Sequence, residues 1–205
     1  MRIGICGGTF DPFHYGHLHP VLAARETINW DEVIYVPAFR QPFKAKRETA
    51  SPYDRFAMAV LATEDHEGLS VSTRELERGA ISYSVDTLEE LRLEHQEATF
   101  DWIIGDDNLP SLNDWRELAR IFELCNFVVL SRGKANIPEN LQSRVTDDRS
   151  ALQNGAIIFV RNATVPVSST EIRRRVRAGE SIDDLVDPRV SRYIHHYRLY
   201  EEDNS

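Results

Sequence analysis

The sequence predicts an α/β fold, a doubly wound parallel sheet with helices on both faces and a small helical tail at the C-terminal end. Short apolar runs recur along the chain and are continuous rather than alternating, as in strands that are covered on both faces. Stretches with helical spacing and helix-capping residues fill the gaps between these runs. Strand alternating with helix is the pattern of βαβ units and a parallel sheet.

Six apolar runs are predicted as strands. In chain order they are Arg2–Cys6, Glu32–Val36, Leu69–Val71, Trp102–Ile104, Phe127–Leu130 and Ile157–Val160. Ligands of such sheets bind beyond the carboxyl ends of the strands. The segments that follow Cys6, Val36, Ile104 and Val160 are therefore the first candidates for a functional site.

Capping residues mark where helices should begin. We expect helices near His14 to Gly16, at Pro52 behind the cap Ser51, over Ser84–His95, at the capping box Ser168–Glu171, and at Pro188 behind Asp187. The stretch Arg132–Gln142 is the only linker-like segment.

Length and composition limit the classes of protein. The 205 residues fit one domain, 1–205, in which about 165–205 form a late helix and the helical tail. Cys6 and Cys125 lie in apolar runs and are expected to be reduced, which together with the absence of a signal-like or membrane-spanning segment predicts a cytoplasmic protein. The net charge of −9 argues against nucleic acid and membrane partners. It leaves open anionic small molecules and a homo-oligomer.

The stretch GGTFDPFHYGH follows the first predicted strand directly. Gly7 and Gly8 allow a sharp turn and a close approach of the backbone to a ligand. His14 and His17 fall three apart in the first turn of the next helix, on one face. Helix N-termini bind phosphate, and imidazoles add directional donors, so this stretch predicts an anion site.

Two other interpretations of the histidines stay open at this point. The pair could simply cap or pack the helix. A metal site made of His14, His17 and His19 is conceivable, but no further Cys or His cluster completes a zinc-like set, so no metal site is expected. The glycine spacing matches neither the GxGxxG fingerprint nor a Walker loop.

The stretch VPVSSTEIRRRV offers a second anion site. Ser168, Ser169 and Thr170 supply hydroxyls and N–H groups at a helix N-terminus, and Arg173, one turn in, can fork two phosphate oxygens. An ordinary capped helix with solvated arginines is the alternative.

Together these stretches carry a resemblance. GGTFDPFHYGH resembles the signature of the HxGH nucleotidyltransferase superfamily, and VPVSSTEIRRRV resembles its ISSTxIR motif. The chain is most similar to bacterial nicotinate-nucleotide adenylyltransferases, which implies a Rossmann-like sheet. The resemblance implies that His14, His17 and Arg173 are catalytic. It implies an ATP site of Gly8, Thr9, Phe10, His14, His17, Gly105, Asp107, Ser168, Ser169, Thr170 and Arg173.

Three further segments carry the same resemblance: WIIGDDNLPSLNDW, ISYSVDTLEEL and VPAFRQPFKAK. In this chain Phe43 stands where the family usually has histidine, and Ser84 where it usually has threonine. By resemblance, the mononucleotide site comprises Lys44, Tyr83, Ser84, Thr87 and Trp115.

The resemblance implies transfer of the adenylyl group of ATP to nicotinate mononucleotide, giving nicotinate adenine dinucleotide and pyrophosphate. Mg²⁺ is expected to arrive with ATP. The alternatives are an enzyme that prefers nicotinamide mononucleotide or another phosphate acceptor, a nucleotide-binding sensor without turnover, and a metal-binding module.

Overall fold

A seven-stranded parallel sheet forms the centre of the protein. The structure, a computed structural model, describes residues 1–42, 50–131, 136–148, 154–161 and 165–201. The strands are β1 Arg2–Gly8, β2 Glu32–Pro37, β3 Leu69–Val71, β4 Thr99–Gly105, β5 Asn126–Ser131, β6 Val145–Thr146 and β7 Ile157–Arg161. They lie in the order β3-β2-β1-β4-β5-β7-β6, and each neighbouring pair is parallel. The predicted fold class is confirmed.

Seven α-helices are described around this sheet. They are α1 Tyr15–Ile28, α2 Pro52–Thr63, α3 Arg74–Arg78, α4 Ser84–Glu94, α5 Leu118–Leu124, α6 Ser169–Arg177 and α7 Pro188–His196. Two 3₁₀ segments, Asp106–Asp114 and Glu139–Arg144, follow β4 and precede β6. Within these ranges no helix combines the length and the apolar character needed to cross a bilayer.

Alternate strand residues enter two apolar cores, one on each face of the sheet. Val33 and Tyr35 of β2 pack with α1, α2, α6 and α7, whereas Ile34 and Val36 of the same strand pack with α4 and α5. Burial on both faces explains why the strands read as continuous apolar runs.

The six predicted strands and the predicted helix starts are all present, with most strands longer by one to three residues at one or both ends. The short strand β6 was missed because it has only two residues and Val145 is exposed, so no apolar run marks it. At α6, Ser168 accepts the N–H of Glu171 at 3.2 Å as expected of an N-cap. In the predicted capping box the Glu171 carboxylate would accept the backbone N–H of Ser168. It pairs with Arg174 and Arg175 on the exposed side of the helix instead.

The sheet reverses its winding direction between β1 and β4. The chain proceeds from β1 outward to β2 and β3, then returns to place β4 on the other side of β1. The loops that follow β1 and β4 therefore diverge from adjacent strand ends and leave a crevice between them. This is the point at which open α/β sheets bind ligands.

A buried ionic network closes the opposite, amino-terminal edge of the sheet. The carboxylate of Asp101 accepts from Nε of Arg2 at 2.6 Å, from Nε1 of Trp30 at 2.6 Å and from Nδ2 of Asn126 at 3.1 Å. Asp101 is completely buried. Three segments distant in sequence are thus fixed to one carboxylate.

We expect Asp101→Asn to lower the free energy of unfolding by about 3 to 5 kcal/mol, because it removes the buried charge that the Arg2 guanidinium faces. Denaturant unfolding measures the change. The control Asp147→Asn, at an exposed carboxylate, should shift stability by less than about 0.5 kcal/mol. An Asp101→Asn protein as stable as the parent contradicts this interpretation of the network.

Candidate active site

His14 and His17 form a reciprocal cap at the start of α1. His14 is the N-cap, and its Nδ1 accepts the backbone N–H of Gly16 at 3.1 Å. His17 lies one turn later, and its Nδ1 accepts the backbone N–H of His14 at 3.3 Å. The two rings stack with centroids 3.7 Å apart and planes 16° from parallel. The capping interpretation that the sequence left open is therefore correct, and it is compatible with ligand binding.

The cap also fixes the protonation pattern of the imidazoles. Each Nδ1 is a hydrogen-bond acceptor, so in the neutral ring the proton resides on Nε2. Nε2–H is then the donor group of each imidazole. Both donors belong to a helix N-terminus, whose partial positive charge favours a phosphate.

Gly16 allows the segment before α6 to approach α1. A Cβ at this position would lie 2.9 Å from Cγ1 of Val167 and 3.0 Å from the His14 ring. A side chain here would push apart the two stretches that the resemblance assigns to one ATP site.

We expect Gly16→Ala to lower kcat/KM for ATP by about 100-fold through this displacement. Its free energy of unfolding should change little, since the helix preference of alanine, about 1 kcal/mol, offsets part of the cost of the steric overlap. Ala23→Gly, at an exposed position of the same helix, is the matched control. It should weaken the helix and leave kcat/KM for ATP unchanged. Unchanged steady-state kinetics in Gly16→Ala would count against a shared site.

Helix α6 docks directly on the loop that precedes α1. The hydroxyl of Ser169 donates to the carbonyl of Pro12 at 3.2 Å, and Nη1 of Arg173 donates to the carbonyl of Asp11 at 2.5 Å. Nη2 of Arg173 also donates to Oγ1 of Thr170 at 3.3 Å. Stretches about 160 residues apart along the chain thus converge at the N-termini of two helices.

Three further residues of the predicted ATP site, Gly8, Thr9 and Phe10, lie at the end of β1 and in the loop that leads to α1. Thr9 has a buried hydroxyl oxygen without a hydrogen-bond partner among the described residues, as expected where a ligand would supply one. Phe10 is 3% exposed and packs edge-on against His17, with ring centroids 5.0 Å apart. Phe10 therefore packs against the His17 ring and supports it. Gly8 leaves room for the Phe10 ring, since a Cβ at position 8 would lie 2.8 Å from that ring.

Gly105 and Asp107 lie at the end of β4, across the crevice from the β1 loop. Asp107 is exposed, and its carboxylate folds back over Gly105, where a Cβ would approach Oδ1 to 2.4 Å. The same oxygen accepts from Nδ2 of Asn108 at 3.3 Å. This places a carboxylate at the mouth of the crevice.

The loop after β2 is joined to the segment that precedes α4. The backbone N–H of Phe39 donates to Oγ of Ser82 at 3.0 Å, and the N–H of Ser82 donates to the carbonyl of Arg40 at 2.9 Å. Two predicted mononucleotide segments therefore form one unit. Lys44, the predicted cation of this unit, and Phe43 lie outside the described residues.

Tyr83 and Ser84 follow this unit directly in sequence, and Trp115 packs against the same apolar core as Tyr83. Tyr83 precedes α4, and Cζ of the Arg116 guanidinium lies over the Tyr83 ring, 4.7 Å from the ring centroid. Ser84 is the first residue of the helix. Trp115 is partly buried and meets two core rings edge-on, Trp102 at 6.3 Å and Phe127 at 5.8 Å. It combines core packing with a partly exposed ring.

Thr87 is placed differently from its predicted companions. It is completely buried, and its hydroxyl donates to Oε1 of Glu75 at 2.6 Å and accepts from Arg78 at 3.2 Å. Burial raises the pKa of Glu75, while hydrogen bonds from Ser82 and Thr87 oppose that rise. The Thr87 side chain thus fixes α4 to α3, behind the surface that Tyr83 presents.

Three buried polar residues of the site were missed in the sequence. Arg55 is completely buried and donates to the carbonyls of Thr9 at 2.7 Å and Phe39 at 3.1 Å, which ties the β1 loop to the β2 loop. Glu75 accepts from the Thr87 hydroxyl and so holds α4 against α3. Tyr200 donates to Asp11 at 2.7 Å. No local pattern marks these residues, since Arg55 and Tyr200 contact loops far away in sequence and Glu75 contacts a residue of the next helix.

Metal-binding groups do not cluster in the part of the chain that the structure describes. No three His, Cys, Asp or Glu side chains there could hold a metal ion together. The carboxylate of Asp11, the acid nearest the histidines in sequence, accepts the Tyr200 hydroxyl. These residues do not fit a dedicated metal cage.

Comparisons with known proteins identify the family of the chain. A family model described as cytidylyltransferase-like matches residues 5–175. A Thermoanaerobacter sp. (strain X514) protein named "Probable nicotinate-nucleotide adenylyltransferase" is 36% identical over 209 residues, with 99% of this chain and 96% of the relative covered. A Clostridium beijerinckii protein of the same name is 38% identical over 203 residues, covering 97% and 98%. The chain belongs to the nicotinate-nucleotide adenylyltransferase family.

Solved structures share the adenylyltransferase fold. Plasmodium falciparum nicotinic acid mononucleotide adenylyltransferase complexed with APC superposes with a TM-score of 0.73, covering 97% of this chain and 96% of that one, at 19% identity. The same enzyme complexed with NaAD gives 0.74, with 97% of each chain covered and 22% identity. The resemblance to the adenylyltransferase family, drawn from motifs alone, is confirmed over nearly the whole chain.

Proposed function

We propose that the chain transfers the adenylyl group of ATP to nicotinate mononucleotide, forming nicotinate adenine dinucleotide and pyrophosphate, and that residues 1–205 act as one nucleotidyltransferase domain. The observation that carries the proposal is the docking of α6 onto the β1–α1 loop. It brings Arg173 onto the carbonyl of Asp11, three residues before His14, which supports a site shared by His14, His17 and Arg173. The family membership of the chain supports the same reaction.

The proposed chemistry is an in-line displacement at the α-phosphorus of ATP. An oxygen of the mononucleotide 5′-phosphate attacks, the new P–O bond forms, and the bond to the β-phosphate oxygen breaks to release pyrophosphate. A phosphate monoester is already an anionic nucleophile, so the chain needs no general base to activate it. The task is to align two anions and to stabilise the charge that develops on the leaving group.

The described residues divide that task. Nε2–H of His14 and His17 would donate to oxygens of the ATP phosphates, and the Arg173 guanidinium would bind two further oxygens as a fork. Thr9 and the N–H groups of α6 would complete the anion site. Gly105 and Asp107 would face the adenosine, with Asp107 accepting from a ribose hydroxyl.

The mononucleotide would bind on the other side of the crevice. Tyr83 and Ser84, at the start of α4, would hold the carboxylate of the pyridine ring, and the partly exposed ring of Trp115 would stack on it. Lys44 would meet the acceptor phosphate. Thr87 would stabilise this surface from behind.

Mg²⁺ enters this proposal as part of the substrate MgATP. The described residues offer no carboxylate cage for it, so its ligands would be phosphate oxygens and water. No step of the mechanism depends on a protein-bound metal.

A pyrophosphate-release assay tests the proposal. With ATP present, nicotinate mononucleotide should give turnover, nicotinamide mononucleotide should give a lower kcat/KM, and ATP alone should give none. The product should carry the mass of nicotinate adenine dinucleotide. A preference for the amide would assign the alternative acceptor. ATP binding without pyrophosphate release, with either mononucleotide, would instead indicate a nucleotide sensor and refute the enzyme assignment.

A further inference from the structure

The last turn of the described chain reaches back to the first loop. Tyr200 is 6% exposed, and its hydroxyl donates to Oδ1 of Asp11 at 2.7 Å, across 189 positions of sequence. Asp11 lies three residues before His14, in the loop that leads into α1. The tail and the predicted ATP loop therefore share a buried hydrogen bond.

Asp11 lies between Tyr200 and Arg173. Its backbone carbonyl accepts from Nη1 of Arg173 at 2.5 Å, and its Oδ2 is 3.9 Å from the same nitrogen. Asp11 is itself only 4% exposed. A change in the position of Asp11 would thus move the guanidinium that is proposed to bind phosphate.

The backbone of the tail adopts an uncommon conformation to bring Tyr200 to this place. Arg198 and Tyr200 have φ values of 52° and 67°, in the left-handed region that residues other than glycine seldom occupy. Such conformations persist where the surrounding structure determines them. Here the Leu199 N–H donates to the Ile194 carbonyl at 3.0 Å, and the Tyr200 ring belongs to the apolar core on the α1 face.

Electrostatics keep the Tyr200 hydroxyl a donor. Burial is the largest cause that raises the pKa of Tyr200, and the charge of Asp11 and the hydrogen bond to it raise it further. The charges of Arg173 and Arg55 lower it but do not reverse the shift. The hydroxyl therefore keeps its proton at neutral pH and can donate to Asp11.

We propose that Tyr200 is a positioning residue of the ATP site, acting through Asp11 on Arg173 and on the loop that carries His14; this rests on the proposed function. The tail, which the sequence analysis treated as structural, would then complete the site. The Tyr200 hydroxyl touches no substrate in this proposal. Its effect should therefore be specific to ATP and should depend on Arg173.

Tyr200→Phe tests this with the loss of one oxygen atom. We expect the Kd for α,β-methylene ATP and the KM for ATP to rise about tenfold, the usual scale for a hydrogen bond to a charged group. The KM for the mononucleotide should stay within twofold. Tyr197→Phe, in the same turn but 57% exposed, is the control and should match the parent. Equal increases for both substrates, or no increase for ATP, would overturn the proposal.

Introducing Tyr200→Phe into an Arg173→Ala protein distinguishes a positioning role of Tyr200 from general stabilisation of the fold. In Arg173→Ala protein, adding Tyr200→Phe should raise the Kd for α,β-methylene ATP by less than twofold. A residue that only stabilises the fold would lower affinity by the same factor in both backgrounds, and that result would overturn the proposal. Should Tyr200→Phe not fold, Asp11→Ala removes the acceptor of the same hydrogen bond and keeps the backbone carbonyl that Arg173 contacts, and it should give the same ATP-specific loss.

The analogue-binding measurement needs no mononucleotide and no turnover. A parent protein that binds α,β-methylene ATP but forms no dinucleotide would refute the proposed function. The role of Tyr200 in ATP binding would still be decided by the same titrations.

Discussion

His17→Ala should lower kcat by about 100- to 1,000-fold, the scale found when one fixed donor to developing negative charge is removed. Nε2–H of His17 is proposed to bind the phosphates, and the His14 N–H, the Phe10 ring and the stacked His14 imidazole hold the His17 ring in place. Steady-state pyrophosphate release measures the effect.

Two further variants separate catalysis from helix capping. His17→Ala also removes a cap, worth about 1 kcal/mol, so unfolding must be followed alongside turnover. His17→Asn keeps a side-chain oxygen that can accept the His14 N–H, and it should regain stability without regaining turnover. His19→Ala, at an exposed ring stacked on Tyr15, should leave both unchanged. Turnover retained in His17→Ala would remove the histidine from the mechanism.

Arg173→Ala should have an effect of similar size, about 100-fold or more on kcat/KM for ATP, because it removes a two-pronged donor to the phosphates. Arg173→Lys should recover only part of the loss, since an ammonium cannot bind two oxygens as a fork. The exposed Arg177, in the same helix, supplies the control: Arg177→Ala should retain parental kinetics. If Arg177→Ala and Arg173→Ala lower kcat/KM for ATP by the same factor, general attraction of anions by the helix explains the data. The specific role proposed for Arg173 would then be wrong.

The elements that the sequence predicted well are those determined by local chemistry. Continuous apolar runs marked six strands because both faces of the sheet are covered, and capping residues such as Ser51 and Asp187 marked helix starts. The strand β6 has too few residues to carry such a signal. The site loops were predicted from the carboxyl ends of strands, and the winding reversal between β1 and β4 gives the physical reason.

The residues that the sequence did not reveal act through burial and distance. An arginine is exposed by default, so nothing in the sequence distinguished Arg55, which is completely buried between two loops. Thr87 fell on a motif position, yet its hydroxyl binds Glu75 inside the protein. Tyr200 meets Asp11 only after the chain has folded around the whole sheet. Local patterns cannot show such long-range partners.

A crystal structure of the chain with α,β-methylene ATP is the most direct test of the account. We expect Nε2 of His14, Nε2 of His17 and the guanidinium of Arg173 to lie within hydrogen-bond distance of oxygens of one triphosphate, in the crevice beyond β1 and β4. A triphosphate bound elsewhere, or one that contacts the histidines while Arg173 remains on Asp11 alone, would contradict the convergence on which the proposed reaction depends.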